Sequence, residues 1–387
     1  MSIQAIKRIA IYVVHDKDGI IDDYIPFYLS ELRPCVTHLV VVCNGLLTDE
    51  GRYKLSNYAD DIFVRPNIGF DCGAVKDVLF NFVGWDKIYE YDELLIANDT
   101  IYGPFCSFIS IFNEMDKRKC DVWGLSLQTE GIKMKRINRE SEIMPSHIQA
   151  FFINIKHNLL HSSSFYDFWH KIDPWDYNYN DVVVLYEVAF SVRFRSEGYV
   201  LDAYFDTADY FSNVTGDFFP PVFYDPLELL ITYNFPFLKT KVLKQKNTKM
   251  FLKDYSHTYS SILKYIDDNT NYDVDLIRDN IIRYYRYNDL YSFCSNYQYI
   301  YVYGTGEMAQ HWYDVMMSNN ISLPNINGFV VSDGHRKVEE LFGYKVLHLS
   351  EIPYSRDIGF ILALNPENTS EVKNTLEEKG YHNIFQL

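Results

Sequence analysis

Over the first hundred residues, short β-branched runs alternate with amphipathic stretches. "RIAIYVV" is followed by "YIPFYLSEL", "HLVVVCNG" by "LSNYA", and "DIFVRPN" by "AVKDVLFNFV", before "DELLIAND" closes the series. This strand-helix alternation predicts an α/β fold with a parallel sheet covered on both faces. Ligands of such sheets bind outside the carboxyl ends of the strands, so the residues closing each run are the candidates for chemistry. They are His15 and Asp16, Asn44 and Gly45, Arg65 to Asp71, and Asn98 with Asp99.

Two of these strand ends carry a pattern of their own. In "RPNIGFDCGAVKDVLF", residues 65–80, Gly69 and Gly73 allow positive φ or a close approach to the backbone, and the helix that follows offers N–H groups to an anion such as a nucleotide diphosphate. A tight turn with Asp71 as helix cap explains the same residues equally well. In "YDELLIANDTIYGPF", residues 91–105, a buried strand ends in Asn98-Asp99-Thr100, the oxygen donors a hard divalent cation or a ribose would use, or a plain Asn-Asp turn. A third stretch, "YEVAFSVRFRSEGY", residues 186–199, predicts a helix with Val188, Val192 and Phe194 toward a core and Gly198 as its stop. Glu187 then falls in the first turn, pointing back toward the sheet edge.

Composition narrows the function. The chain has 387 residues, enough for one larger and one smaller domain. A formal charge of −16 argues against nucleic acid as a partner. The aromatic share of 17% suits a sugar site, although core packing accounts for most such rings. Six cysteines without ligand spacing suit reduced thiols, and no stretch approaches the roughly 20 apolar residues of a membrane span, so a cytoplasmic protein is expected. His157 and His161 lie at i, i+4 but lack the Glu of a zinc motif.

Taken in order, "HDKDGIIDDYIPFYLSEL", "VVVCNG", "RPNIGFDCGAVKDVL", "YDELLIANDTIYGPF", "DVWGLSLQ", "SHIQAFFINIKHNLL", "YEVAFSVRFRSEGY" and "NFPFLKTKVL" resemble the GT-A glycosyltransferases of the inverting family 2 type, and more closely the rhamnan synthesis protein F family. The resemblance implies a GT-A type, Rossmann-like glycosyltransferase domain over residues 1–245. It makes Asn67, Gly69, Phe70, Asp71, Asn98 and Asp99 donor-site residues, and His15, Asp16, Asn44 and Arg65, which close the neighbouring strands, are donor-site candidates beside them. Asn98-Asp99 stands where such enzymes carry Asp-x-Asp, with one of the two acids present, so Asp99 is the candidate ligand of Mg2+ or Mn2+. Glu187 takes the place of the general base on the acceptor hydroxyl, preceded by Tyr186 where relatives have a second acid. His147, in "PSHIQAFF", is a further catalytic candidate. The implied donor is a nucleotide sugar such as dTDP-rhamnose, and the implied acceptor a polyprenyl-linked glycan or growing surface polysaccharide, with other glycan-assembly enzymes as further partners.

Beyond residue 236 the composition changes. "PFLKTKVLKQKNTKMFLK" places Lys239, Lys241, Lys244, Lys246, Lys249 and Lys253 together without an acid. Such a patch suits a diphosphate, peripheral contact with the inner face of the plasma membrane, or a solvated helix face. Residues 246–296 read as a helical connector, and residues 297–387 as a small Rossmann-like α/β domain. There "YQYIYVYGTGEMAQHWYDVM" gives a strand, Gly304-x-Gly306-x-x-Ala309 and a helix, and Asp333 ends the next strand, the layout of a dinucleotide loop. About 90 residues are too few for a full dehydrogenase, so a binding or packing role is expected. Two readings compete with a transferase: a non-catalytic subunit sensing nucleotide sugars, and an NAD(P)-dependent sugar-modifying enzyme working through the 304–309 loop.

Overall fold

The computed structural model describes residues 6–129, 133–134, 142–212, 220–244 and 258–387. It divides into two compact units, Met1–Pro221 with Asn234–Leu238, and Val222–Tyr233 with Lys239–Leu387.

The first unit begins with β1 (Arg8–Val14), α1 (Tyr24–Leu32), β2 (His38–Asn44), α2 (Asp49–Ser56), β3 (Asp61–Arg65), α3 (Phe70–Asp77) and β4 (Glu93–Asn98). The strands fall where the alternation predicts, whereas α2 lies mostly ahead of "LSNYA" and ends at Ser56, and α3 starts four residues before "AVKDVLFNFV". It continues with α4 (Phe108–Met115), β5 (Val122–Gln128), β6 (His147–Ile148), β7 (Phe152–Ile155), α5 (Ser163–Lys171), a helix α6 over residues 179–196, and β8 (Leu201–Asp206). The strand order is β8-β5-β7-β4-β1-β2-β3, with β6 added on β5. β3, β2, β1 and β4 are mutually parallel, and β7 runs antiparallel to both β4 and β5. This is a Rossmann-like half extended through one reversed strand, the GT-A arrangement.

Both sheet faces are dry. Ile9, Ile11 and Val13 of β1 point into a core with Val75, Leu79, Trp169, Tyr186 and Phe190. On the other face Tyr12 meets Tyr28 of α1 at 5.1 Å, Tyr28 meets Phe108 of α4 at 5.0 Å, and Trp123 meets Phe152 at 5.2 Å. Interlocked rings therefore absorb much of the aromatic content into the core. At the amino end of β1 the buried Arg8 is neutralised by Glu93 at 2.7 Å and Asp116 at 2.5 Å. Charge at that edge is structural.

The second unit includes short helices at Pro226–Ile231 and Thr240–Leu243 and then α7 (Thr258–Asn269), α8 (Asp275–Tyr284) and α9 (Tyr287–Ser295). A Rossmann-like module follows: β9 (Tyr299–Tyr303), α10 (Glu307–Ser318), β10 (Ile326–Val331), β11 (Glu340–Leu341), β12 (Tyr344–His348), β13 (Ile358–Leu362), α11 (Pro366–Glu378) and β14 (Ile384–Gln386). Its strand order is β11-β12-β10-β9-β13-β14, parallel except at β11. Among the described residues no helix is long and apolar enough to cross a membrane.

Candidate functional site

The carboxyl ends of β1, β2, β3 and β4 converge on one polar network in the first unit. His15, just past β1, is its hub. Its Nδ1 donates to the Asn44 carbonyl at 2.6 Å, which leaves Nε2 to accept from Asn67 Nδ2 at 3.4 Å. The His15 backbone N–H donates to Asp99 Oδ2 at 3.1 Å. Asn98 donates to Asp71 Oδ2 at 2.6 Å and accepts from the Thr100 hydroxyl at 2.6 Å, tying the end of β4 to the first turn of α3. His15, Asn67, Asp71, Asn98 and Asp99 thus form one edge, as the strand-end argument expects.

Several other candidates stand near this edge in a bracing role. Arg65 is buried, and its three nitrogens donate to Asp77 at 2.6 Å, Asn44 Oδ1 at 2.7 Å and the Ile68 carbonyl at 2.8 Å. Asn44, 1% exposed, also donates to the Phe70 carbonyl at 3.2 Å. Both hold the 66–70 turn in shape from beneath. Asp16 folds the loop after β1 by accepting the N–H groups of Asp18 and Ile20 at 3.0 and 3.1 Å.

The glycines take the positive φ and the close backbone approach that the sequence predicts, and the approaching groups are the protein's own carbonyls. Gly69 is the cap of α3 at φ +72°, but a Cβ there would meet the Pro174 carbonyl oxygen at 2.6 Å. A Cβ on Gly73 would meet the Ile68 oxygen at 2.3 Å. The bare backbone admits the 173–178 turn and the chain's own carbonyl. Phe70 follows at φ +52° with a partly exposed ring, and Asp71 sits in the first helical turn, so the capping role falls to Gly69.

Glu187 is not at a helix start. Asn178 and Asp181 form a reciprocal capping box, so α6 begins near Tyr179, and residues Val182–Val188 form a π-helical segment that contains Glu187. Val188 and Phe194 are buried as expected, whereas Val192 is 41% exposed. The Glu187 carboxylate is held by one oxygen: Oε1 accepts the Ala150 N–H at 3.1 Å and lies 3.8 Å from His147 Nε2. Oε2 has no hydrogen-bond partner among the described residues. His147, 3% exposed on β6, anchors its Nδ1 on the Pro145 carbonyl at 2.8 Å.

Tyr186, which the sequence offers only where relatives have a second acid, and Tyr179, which it passes over, lie near both Glu187 and Asp71. Burial pushes the Tyr186 phenol well up, with Cys72, Asp71 and Glu187 adding to it, and its hydroxyl has no hydrogen-bond partner among the described residues. Desolvation raises Tyr179 too, followed by the charges of Glu187 and Asp71, although the residue is 59% exposed. Trp175 stacks over the Arg65 guanidinium at 5.9 Å. The aromatic-and-acid run "DPWDYNYND", residues 173–181, was the signal for this side of the site.

Among the described residues no cluster of three or more His, Cys, Asp or Glu side chains could hold a metal ion. Asn98 is committed at both ends of its amide, and Asp99 already accepts from His15. This donor set does not fit a cation site built from side chains alone. His161 bonds the Tyr91 carbonyl at 2.9 Å and stacks on His157.

Lys239 and Lys241 belong to the second unit, where Lys239 lies 5.8 Å from the Phe223 ring and desolvation lowers the Lys241 ammonium. Lys246, Lys249 and Lys253 lie outside the described residues. In the Rossmann-like module Gly304 lies at φ +115°, where a Cβ would also meet the Ala363 oxygen at 2.7 Å, while Gly306 faces open space at the start of α10. Asp333, two residues past β10, accepts the Ser350 N–H at 3.0 Å, and that bond holds its carboxyl below the usual range.

The profile of the rhamnan synthesis protein F family matches residues 39–324, well over half of the chain. The chain belongs to this family. The match takes in β2 to β8 of the first unit, Asp71, Asp99, His147 and Glu187 included, and reaches α10 of the second. Among curated proteins, the family member described here is similar to an uncharacterized protein, y4gN, of Sinorhizobium fredii, with 20% identity over 200 residues, 52% of this chain and 49% of that one. It therefore spans about half the length of this relative. Among solved structures it is similar to 4-diphosphocytidyl-2C-methyl-D-erythritol synthase from Anaerococcus prevotii (12% identity, 52% of this chain, 87% of that one, TM-score 0.32). It is similar as well to glucosyl-3-phosphoglycerate synthase from Mycobacterium tuberculosis bound to Mn2+, UDP and its product (14%, 31%, 43%, 0.22), and to the bifunctional glycosyltransferase WbbM (11%, 71%, 52%, 0.30). At these scores the fold assignment rests on strand order and direction alone.

Proposed function

We propose that this member of the rhamnan synthesis protein F family is an inverting glycosyltransferase that uses the carboxyl edge of the first sheet as its donor site and Glu187 as general base. The observation that carries the reading is the Glu187 carboxylate, fixed through Oε1 by the Ala150 N–H and open at Oε2, on the side of the edge where Tyr179 and Tyr186 feel both it and Asp71. A base for hydroxyl attack needs that combination of fixed orientation and one open oxygen. Asn67, Asp71 and Asp99 supply amide and carboxylate groups for ribose and sugar hydroxyls, Asn98 holds Asp71 in place, and the first turn of α3 supplies N–H groups for the diphosphate.

In the transfer step, the acceptor O–H proton passes to Glu187 as the hydroxyl oxygen bonds the anomeric carbon. The bond from that carbon to the diphosphate oxygen breaks, and the diphosphate leaves with its electron pair. Attack from the face opposite the leaving group inverts the centre. No step is routed through a metal. The family supports L-rhamnose from dTDP-rhamnose as the sugar moved, and a lipid-linked or growing surface glycan as the acceptor.

The test is release of nucleoside diphosphate from a panel of nucleotide sugars, dTDP-rhamnose included, without acceptor. A transferase hydrolyses its own donor slowly and selectively. Saturable binding of one nucleotide sugar with no release by the wild type would replace the reading with that of a sensing subunit.

A further inference from the structure

His147 and Glu187 face one another, and the hydrogen inventory of His147 constrains what they can do. The Pro145 carbonyl can only accept, so the Nδ1 that lies 2.8 Å from it carries a hydrogen. Only Nε2 is left to face Glu187 Oε1, at 3.8 Å. A neutral ring would set its Nε2 lone pair against a carboxylate, at a site where the imidazole is 3% exposed and the carboxylate side chain 17%. One proton held between the two removes that repulsion and turns it into attraction.

Building on the reading of Glu187 as base, we infer that His147 is its positioning residue: the pair works with one proton on His147 Nε2, which holds Oε1 and leaves Oε2 directed at the acceptor hydroxyl. A second proton, on Glu187, is the one gained from the acceptor during transfer, and it leaves to solvent between turnovers. Loss of the first proton sets lone pair against carboxylate and releases the orientation. Among the described residues, the other titratable or charged groups around the pair are the Tyr179 and Tyr186 phenols, with Asp71 and Cys72 beside them, and Arg195, whose Nη1 donates to the Ser146 carbonyl at 2.9 Å. None of them bonds Oε2 or Nε2.

The experiment follows dTDP release from dTDP-rhamnose between pH 5 and 9.5 in wild type, His147→Gln, His147→Leu and Glu187→Gln, with dTDP affinity measured for each. The Gln amide supplies a permanent N–H donor in place of Nε2. His147→Gln is therefore expected to lose no more than about tenfold at the optimum and to lose the alkaline limb, keeping the acid one. His147→Leu should fall by at least about 10²-fold, with dTDP affinity held within about threefold in both. An alkaline limb that persists in His147→Gln overturns the pairing, as does equal loss in the Gln and Leu variants. Wild-type rates in Glu187→Gln instead overturn the base reading itself. A ¹⁵N-histidine spectrum does not depend on turnover: a proton on His147 Nε2 at pH 7 in wild type that is absent in Glu187→Gln supports the pairing, and a bare Nε2 in wild type overturns it.

Discussion

The two parallel sheets of this chain share a layout, strand to glycine loop to helix to strand, and differ in what their carboxyl edges do with polar groups. In the first unit, His15, Asn67, Asp71, Asn98 and Asp99 come from three strand ends into one network, and Glu187 Oε2 has no hydrogen-bond partner among the described residues. In the second, the corresponding groups close on near neighbours: Tyr303 bonds Ser332 at 2.9 Å, Asp333 takes the Ser350 N–H, and Gly304 makes room for the Ala363 carbonyl. On the proposed reading, the same supersecondary pattern builds a donor edge once and a self-satisfied edge once. A glycine motif marks where a chain turns tightly, and only the polar groups left over mark where chemistry can occur.

The sharpest way to break this contrast is Glu187→Gln. The amide keeps the shape and can no longer take a proton, so transfer should fall by about 10²-fold to 10⁴-fold with donor affinity nearly unchanged. The matching substitution in the second unit, Asp333→Asn, should leave the rate where it was. Single-turnover assays with titration of dTDP on both variants decide it, and equal losses would erase the distinction between the edges.

Next in size is Gly69→Ala. A Cβ at φ +72°, 2.6 Å from the Pro174 oxygen, adds backbone strain and pushes the 173–178 turn outward. The cost should be about 2–3 kcal/mol of stability, read from the shift in denaturation midpoint, together with weaker dTDP binding because Asp71 moves with the turn. Gly306→Ala, where nothing stands within 4 Å, should cost under about 1 kcal/mol.

These two glycines also show what the sequence could convey. Strand ends and the parallel half of the first sheet were legible because period and composition switch together at each boundary. Which partner required Gly69 was not, since Pro174 lies a hundred positions further on and no local pattern reports it. Glu187 was recognised by resemblance and misplaced within its helix: the capping pair Asn178 and Asp181 was present in the sequence, but the β-branched run "VVVL" that follows obscured a helix beginning there. The π-helical segment, which sets the direction of Glu187, depends on packing against β6 and could not be read from periodicity. His147 and Glu187, forty residues apart, become a pair only in the folded sheet.

Acid should separate the units thermodynamically. In the second unit His311 is buried, donates from Nε2 to the Leu243 carbonyl at 2.9 Å, and has no partner for Nδ1 among the described residues. Burial lowers its pKa from the ordinary 6.5. The unfolded chain then binds the extra proton first, so this contribution is fully present above about pH 6.5 and declines as pH falls below it toward the depressed folded value. The slope is at most about 1.4 kcal/mol per pH unit, the linkage of one proton. Thermal melts at pH 7.5 and 5.5 should show a smaller acid loss in His311→Gln than in wild type.

The smallest expected effect concerns a metal. One half-buried carboxylate, Asp99, with a hydrogen bond from His15, cannot replace the hydration shell of a divalent cation, whose protein sites use several oxygen ligands or borrow those of a phosphate. Calorimetric titration of the protein with Mn2+ alone should show no saturable site tighter than about millimolar, and Asp99→Asn should not change that titration. Repeating it with dTDP present separates two cases. If heat appears only with the nucleotide, and disappears in Asp99→Asn, the diphosphate supplies the missing ligands and Asp99 is the protein's share of a site assembled with the donor. If Mn2+ binds tightly without nucleotide, the first sheet's edge holds more oxygen donors than its hydrogen bonds leave open, and the contrast between the two edges must be redrawn around that cation.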